Sequence, residues 1–316
     1  MVYSKPVDST SQSTINETIH YIGIGLHSGH RVSMTLYPAA PNTGIYFLRR
    51  DVDPEHMLIR ASWNNVVDTR LCTVLGNDHG VTISTVEHLL AALRGCGVDN
   101  LLIEISGDEV PVLDGSCAPL VDMINQAGVV GQRLPRTGIW IERPIEVRQG
   151  ERYAVLTPSE VPGITVDIEF ANAAIGSQCL SVDLIDNVFE AEIAPARTFG
   201  FADELEQLRE QGLALGGSIR NAVLLDDDRV VNEEGLRFAD EFVRHKILDC
   251  LGDLALAEAP IFGQLYARKP GHRLNNALLR KIFAHGDAWS RLTYEEISRR
   301  IDKHRVAEQS WISAVN

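Results

Sequence analysis

The 316-residue chain is too long for one ordinary hydrophobic core and has about the length of two domains. Hydrophobic residues make up 45% of it and charged residues 23%, a composition typical of soluble globular proteins. The formal net charge of −14 argues against charge-driven binding to nucleic acid or to a membrane surface. A site for an anionic substrate must therefore supply its own local cations.

The start of the chain has no charged segment followed by an apolar stretch, and no apolar run is long enough to span a bilayer. We therefore expect a polar, disordered tail at 1–11 on a cytoplasmic protein without an integral membrane segment. The five cysteines are widely spaced and include no Cys-x-x-Cys pair, which predicts buried free thiols rather than disulfides or a thiolate metal site.

The first half of the chain is predicted to begin with a β-hairpin over residues 20–40. A helix is predicted over 84–93, a strand over 98–105 and a further helix over 117–127. Proline and glycine at 135–138 predict the boundary between two domains.

The second half opens in the same way, with a strand pair over 140–147 and 153–158, which suggests an internal duplication. Strands and helices mixed without regular βαβ alternation favour an α+β fold in both halves. The other segments predicted here are a polar helix over 202–211, a glycine-rich turn over 212–217, a main helix over 235–258 and a charged helical tail over 290–307.

The main helix carries the most informative polar residues of the chain. At about 100° per residue, Asp249 lies roughly 40° and Asp253 roughly 80° from His245 around the helix. A lone histidine is usually a core residue, but a histidine with two aspartates on an otherwise apolar helix favours a metal site. With a third ligand, His245 and Asp249 would form a zinc centre that keeps one position open for water.

Two other polar residues, Glu87 and His272, allow more than one interpretation. Glu87 lies beside His88. It is either the last residue of a capping box that begins at Ser84, or a carboxylate that acts as a base toward metal-bound water. His272 follows Pro270 and Gly271 and is either part of a solvated loop or a mobile general acid above an anionic substrate.

Five segments, taken together and in order, resemble the UDP-3-O-acyl-N-acetylglucosamine deacetylases, the zinc amidohydrolases of lipid A biosynthesis. The resemblance runs from about residue 12 to 282. Its segments are Gly-Ile-Gly-Leu-His-Ser-Gly at 23–29, Ser-Thr-Val-Glu-His-Leu at 84–89, Glu-Val-Pro-Val-Leu-Asp-Gly-Ser at 109–116, Ala-Arg-Thr-Phe-Gly-Phe at 196–201, and the stretch from Asn-Glu-Glu-Gly at 232–235 to Asp249.

The resemblance implies two similar β/α sandwich domains, with helices packed between the sheets and a small insert in each domain. The first domain would span 12–134 and the second 139–283, with an acyl-chain insert near 194–222. A helical C-terminal extension would follow at 284–316.

The resemblance also implies a role for each candidate site residue. The metal ligands would be His88, His245 and Asp249, holding Zn²⁺ or, with the same ligands, Fe²⁺. The groups that act in the reaction would be Glu87 as general base, His272 as general acid, Asp253 orienting His272, and Thr198 stabilising the oxyanion. The substrate would contact Lys246, Lys269, Phe170 and Phe199, and its acyl chain could pass Leu205, Leu208, Leu213 and Leu215.

The implied activity is hydrolysis of the N-acetyl group of UDP-3-O-(3-hydroxyacyl)-N-acetylglucosamine, the committed step of lipid A biosynthesis. The partner would be this small molecule rather than nucleic acid, and the enzyme would be a monomer. The alternatives are an amidohydrolase for another acylated nucleotide sugar, an inactive nucleotide-sugar binding module, and an α+β protein with structural histidines. His27 either lies near the site or holds its own turn.

Overall fold

The computed structural model describes residues 10–185 and 187–303. Of the tail predicted at 1–11, residues 1–9 lie outside the described residues, and Ser11 already begins a strand. Residues 304–316 of the predicted C-terminal extension also lie outside them.

The first half of the chain combines short strands with two α-helices. A short 3₁₀ turn spans Trp63–Asn65. The elements are β1 (Ser11–Ile15), β2 (Ile19–Ile24), β3 (Arg31–Pro38), β4 (Ile45–Arg49), β5 (Leu58–Arg60), β6 (Val66–Asp68), β7 (Val74–Gly76), β8 (Thr82–Ile83), α1 (Glu87–Gly95), β9 (Leu101–Ile105), α2 (Ala118–Ala127) and β10 (Val129–Pro135).

The second half has the same mixture of elements. A π-helical turn spans Phe189–Ile193, and residues 294–303 are helical. The elements are β11 (Thr137–Ile141), β12 (Ile145–Gln149), β13 (Arg152–Thr157), β14 (Gly163–Glu169), β15 (Ser177–Asp183), β16 (Phe199–Phe201), α3 (Ala202–Glu210), β17 (Val223–Asp226), β18 (Arg229–Val230), α4 (Glu241–Ala255), β19 (Ile261–Phe262), β20 (Gln264–Arg268), α5 (His272–Ala284) and β21 (Trp289–Thr293).

Two five-stranded sheets with the same topology form the frame of the molecule. Their strand orders are β2-β3-β9-β4-β5 and β12-β13-β20-β14-β15. In each sheet the only parallel pair lies at the same place, β4 with β9 in one and β14 with β20 in the other. The matching order confirms the α+β fold class and supports the duplication that the two hairpins suggested.

The main helices lie between the sheets, and α1 and α4 are packed against each other at the centre. α4 also contacts β14 and β15, α5 contacts β12 and β13, and α2 contacts β2. Every residue of α1 from Glu87 to Leu93 is buried, so its polar side chains face the protein interior rather than solvent. Each half also carries a three-stranded sheet outside this frame, β6-β7-β8 in the first and β16-β17-β18 in the second.

Three predicted helices and the predicted burial of one cysteine differ in the structure. The helix predicted from residue 84 begins at Glu87, and Thr85 before it has a left-handed φ of 57°. The main helix spans Glu241–Ala255 rather than 235–258. Gly235 and Glu258, at the two ends of the predicted range, have left-handed φ values of 70° and 62° and cannot belong to a right-handed helix. The tail predicted as a helix from residue 290 begins as strand β21, which pairs antiparallel with β11, and only then becomes helical. Cys179 is exposed rather than buried, because alternate side chains of β15 face solvent.

The predicted domain boundary at 135–138 falls between two adjoining strands. Pro135 ends β10, which pairs with β1, and Thr137 begins β11, which pairs with β19 and β21. The division into domains at 12–134 and 139–283 stays a prediction, although the sheets on either side of Arg136 draw their strands from different halves.

The closeness of α1 and α4 depends on Gly252. A Cβ atom at this position would overlap the main-chain carbonyl of Glu87, and a main-chain atom cannot move aside as a side-chain end can. We expect Gly252→Ala to lower the free energy of unfolding by about 1–3 kcal/mol through overpacking, despite the better helix propensity of alanine. Urea denaturation measures this change.

Gly286→Ala is the matched control, because nothing lies within 4 Å of a Cβ built at this exposed position. Its stability should stay within about 0.5 kcal/mol of the parent protein. Equal stability of the two variants would contradict the close approach of α1 and α4.

Candidate functional site

The crossing of α1 and α4 brings three potential metal ligands together. His88 comes from α1, whereas His245 and Asp249 come from α4, and one donor atom of each lies within 4.8 Å of the others. Asp249 Oδ1 lies 3.3 Å from His245 Nε2 and 3.8 Å from His88 Nε2. All three residues are buried. The structure therefore assembles one compact donor set from both halves of the chain.

The protonation states of these residues suit a divalent cation. Burial and the neighbouring His245 lower the pKa of His88 to about 3, so its imidazole is neutral. Burial alone would raise the pKa of Asp249, but Lys246 and the nearby histidines outweigh it and keep the carboxylate ionised. His245 Nδ1 lies 3.1 Å from the carbonyl oxygen of Ala196, and an N–H there leaves Nε2 free to bind a metal.

Two imidazoles and a carboxylate form a donor set that fits Zn²⁺ or a similar transition metal.

The main-chain segment that fixes the His245 ring is itself held by a buried ion pair. Glu241 is fully buried and accepts hydrogen bonds from Arg197 Nε at 2.9 Å and from Arg197 N at 3.0 Å. Burial would raise the pKa of Glu241, but these hydrogen bonds lower it below its usual value.

Glu87 points into the same site and does not cap its helix. The residue that precedes α1 is Val86, and the hydroxyl of Ser84 donates to the carbonyl of Asp108. Glu87 Oε2 accepts a hydrogen bond from Thr73 N at 3.1 Å, and Glu87 Oε1 lies 3.9 Å from His272 Nε2. The capping-box interpretation of Glu87 is therefore wrong. Burial raises the pKa of this carboxyl to about 7.

His272 is the first residue of α5, and its side chain is only 10% exposed, so the solvated-loop interpretation is also wrong. Its Nδ1 lies 2.8 Å from Asp253 Oδ2, the contact expected of Asp253. Burial would lower the pKa of His272, but Asp253 and Glu87 raise it to about 10. The imidazole is therefore held as a cation, with Nε2 turned toward Glu87.

Two positioning residues escaped the sequence analysis. Thr73 donates its hydroxyl to Asp253 Oδ1 at 2.5 Å while its N–H binds Glu87, so it links the two carboxylates. Asn275 Nδ2 donates to Asp253 Oδ2 at 2.8 Å. Asn275 could have been predicted from its spacing of three residues from His272, because this spacing places both residues on one face of a helix.

A cavity of about 540 Å³ opens over these groups. Thr198, Phe199 and Phe170 line it, as do Leu205 and Leu208 from one face of α3. Leu213 and Leu215 do not line it, although Ala214 between them does. The backbone of this turn pairs with the loop at 25–29. The apolar wall is completed by residues that the sequence analysis missed: Leu26, Leu71, Ile219 and Leu224.

An adjoining cavity of about 240 Å³ collects cationic side chains. It is lined by Lys246 and Lys269, as expected, and also by Arg152 and Phe170. Both lysines have carboxylate partners within the protein: Lys246 Nζ lies 2.5 Å from Asp249 Oδ2, and Lys269 Nζ lies 3.0 Å from Glu169 Oε2. Phe170 packs edge-on against Phe199, with the ring centroids 5.7 Å apart.

Both interpretations of His27 agree with the structure. The main-chain N–H groups of His27 and Ser28 each donate to the buried carboxylate of Glu109 at 2.8 Å, so the turn is held through its backbone. The imidazole nevertheless lines the main cavity, and its buried Nδ1 has no hydrogen-bond partner among the described residues.

Comparison with known proteins agrees with this arrangement. The family model "LpxC: UDP-3-O-acyl N-acetylglycosamine deacetylase" matches residues 12–284. The chain belongs to this family. Proteins named UDP-3-O-acyl-N-acetylglucosamine deacetylase from Vibrio parahaemolyticus and Tolumonas auensis are each 47% identical to it, over 287 and 289 residues. The one from Haemophilus influenzae is 45% identical over 287 residues. Each alignment covers 90% of this chain and 94% of the relative.

Membership of the family agrees with the resemblance found in the sequence and with the two-sheet architecture. Within residues 10–185 and 187–303, no helix combines the length and the apolar character needed to cross a bilayer. The roles of the individual site residues stay predictions, although the structure brings the predicted ligands, Glu87, Asp253 and His272 to one place.

The donor set predicts a measurable metal affinity. Asp249→Ala removes the only carboxylate of the set. Loss of a residue that merely hydrogen-bonds a metal ligand weakens metal binding by about 10–100-fold, so loss of the ligand itself should weaken Zn²⁺ binding by more than about tenfold. Elemental analysis after dialysis against a competing chelator measures the bound metal.

Asp203→Ala is the matched control, since Asp203 is an exposed aspartate of α3. It should retain as much zinc as the parent protein. Unchanged zinc content in Asp249→Ala would refute the assignment of Asp249 as a ligand.

Proposed function

We propose that the protein hydrolyses the N-acetyl group of UDP-3-O-(3-hydroxyacyl)-N-acetylglucosamine, releasing acetate and a free amine in the biosynthesis of lipid A. Membership of the deacetylase family supports this activity. The observation that carries the proposal is the convergence of a two-histidine, one-aspartate donor set with Glu87 and His272 at one cavity.

His88, His245 and Asp249 would hold Zn²⁺, and the same donors would accept Fe²⁺. A bound Zn²⁺ would polarise the amide carbonyl and make a water molecule acidic near neutral pH. The protein itself contributes the preorganisation, because the Arg197–Glu241 ion pair and the carbonyl of Ala196 hold the His245 ring in one orientation.

Glu87 would take the proton of the attacking water at its carboxylate. Its raised pKa suits this task, because a base with a pKa near the working pH can accept the proton and give it up again. Thr73 N holds one carboxylate oxygen, which leaves Oε1 turned toward His272 and the cavity.

His272 would protonate the departing nitrogen, since an amine leaves poorly as an anion. Its Nδ1 contact with Asp253 keeps the ring charged and directs Nε2 into the site. Asp253 is in turn fixed by Thr73 and Asn275, so the ring is oriented by a fully hydrogen-bonded carboxylate. The hydroxyl of Thr198 would stabilise the developing oxyanion, a contribution of about 3 kcal/mol for a well-placed donor.

The shape and charge of the cavities support the rest of the substrate assignment. A volume of about 540 Å³ lies within the usual range for small-molecule sites, and its wall at α3 is apolar. We assign this wall to the acyl chain. We assign Lys246, Lys269 and Arg152 to the anionic diphosphate and Phe170 to the uracil ring. The cytoplasmic location and the monomeric state stay predictions.

Acetate release from the acylated UDP-sugar tests the proposed function directly. Glu87→Ala should keep its zinc but lose turnover by about 10²–10⁴-fold, because the general base is removed while the ligands remain. Glu55→Ala, an exposed glutamate, should retain the parent activity. Full activity in Glu87→Ala would refute its role as the base.

Two results for the parent protein would overturn the substrate assignment. Release of acetate only from a different acylated nucleotide sugar would identify another amidohydrolase. If the zinc-loaded protein binds the UDP-sugar but releases acetate from no acylated nucleotide sugar, it is an inactive binding module.

The position of the acyl chain has its own test. Leu208→Trp fills the apolar wall with a larger side chain and should raise KM for the acylated substrate by about tenfold, or ~1.4 kcal/mol of binding. Leu215→Trp should leave KM unchanged, because Leu215 is 50% exposed and does not line the cavity. Steady-state kinetics measure both, and equal KM values would contradict the assignment of this wall to the chain.

A further inference from the structure

A second cavity of about 260 Å³ lies away from the metal ligands and shares no lining residue with the main cavity. Its wall includes Leu251 and Leu254 from α4, together with Ile261 and Phe262 from β19. Leu251 lies about half a turn around the helix from Asp249. The two cavities therefore open on opposite faces of α4, and the proposed chemistry uses only one of them.

One residue lining this apolar cavity is Arg94, in the last turn of α1. Its Nε and Nη1 are buried and have no hydrogen-bond partner among the described residues. The Arg94 side chain as a whole is 20% exposed, but these two buried donors have lost their hydration without a replacement, which is costly. Each of these two unused N–H donors can hydrogen-bond an oxygen of an anionic group such as a carboxylate.

The nearest carboxylate is already engaged. Asp99 Oδ1 lies 3.8 Å from Arg94 Nη1 but accepts a hydrogen bond from Arg136 Nε at 3.0 Å, and Asp99 Oδ2 accepts one from Ser13 N at 3.0 Å. One aspartate therefore serves two arginines. Arg291 adds a further positive charge to the same region.

Arg94 keeps its own charge in these surroundings. Burial and the neighbouring Arg136 lower its pKa to about 10, which still leaves the guanidinium protonated at neutral pH. The cavity thus combines an apolar wall with a local excess of positive charge, in a chain whose net charge is −14.

We propose that this cavity binds a monocarboxylate with a short apolar chain, its carboxylate on Arg94 and its chain along Leu251, Leu254 and Ile261. A cavity of about 150 Å³ holds one benzene molecule, so 260 Å³ has room for a chain of roughly six to eight carbons. A nucleotide sugar is too large, and a neutral chain leaves the guanidinium unpaired. The site does not depend on the function proposed above.

The test uses octanoate and two probes that each lack one half of its chemistry. Octanol has the chain without the charge, and acetate has the charge without the chain. Methyl NMR spectra of the zinc-loaded protein follow each titration: the signals of Leu254 and Ile261 report this cavity, and those of Leu208 and Ile219 report the main cavity.

Octanoate should shift the Leu254 and Ile261 signals and bind there at least tenfold more tightly than octanol or acetate. Arg94→Met should weaken octanoate binding by at least tenfold and leave octanol binding unchanged. Ala255→Leu, which enlarges a residue of the cavity wall, should weaken both. Arg133→Met removes an exposed arginine and should change neither. Arg94→Met should release acetate from the sugar substrate at the parent rate when octanoate is absent.

Three results would overturn the proposal. The first is no shift of the Leu254 and Ile261 signals at millimolar octanoate, or shifts confined to Leu208 and Ile219. The second is equal binding of octanol and octanoate, which would show that Arg94 plays no part. The third is unchanged octanoate binding in both Arg94→Met and Ala255→Leu, with both variants giving the folded spectrum of the parent protein.

Discussion

The structure depends above all on the close contact between helices α1 and α4 at Gly252, a residue without a side chain. Gly252 lets α4 approach the backbone of α1 at Glu87, and this approach sets His88 beside His245 and Asp249. α1 and α4 hold equivalent positions in the duplicated topology, each preceding the central strand of its own sheet. The candidate site therefore lies where the two copies of one structural unit meet, and small errors in their packing would act directly on ligand geometry.

Electrostatics adds a second constraint at the same crossing. Asp249, Glu87 and Asp253 are buried within a small volume, and like charges so close are tolerated only with compensating cations and donors. Lys246 pairs with Asp249, while Asp253 has His272, Thr73 and Asn275. Glu87 accepts a hydrogen bond from Thr73 N, and burial raises its pKa above the usual value. Differences among the surroundings of these three carboxylates support the different roles that are proposed for them.

Much of this could be read from the sequence, because polar residues on buried helices are rare and have few explanations. The spacing of His245, Asp249 and Asp253 predicted their shared face, and the ordered segments predicted the family and its fold. The capping pattern at Ser84 was ambiguous because the same four residues suit a cap or a site, and the hydrogen bonds of Ser84 to Asp108 and of Thr73 to Glu87 separate the two. Thr73 could not be predicted as a site residue from the sequence, because Asp253, to which its hydroxyl donates, lies 180 residues further along the chain. Leu213 and Leu215 lie in a turn whose backbone pairs with residues 26 and 27, a long-range contact that local hydrophobicity does not reveal.

The division of the ligands between the halves bears on how the protein matures. If His88, His245 and Asp249 are the ligands, the first half emerges during synthesis with His88 alone, and one imidazole is a weak and unselective ligand for any metal. High affinity can arise only after α4 has left the ribosome and docked beneath α1. Acquisition of the proposed ion would consequently be a late event, and a truncated product that ends before α4 would not bind it.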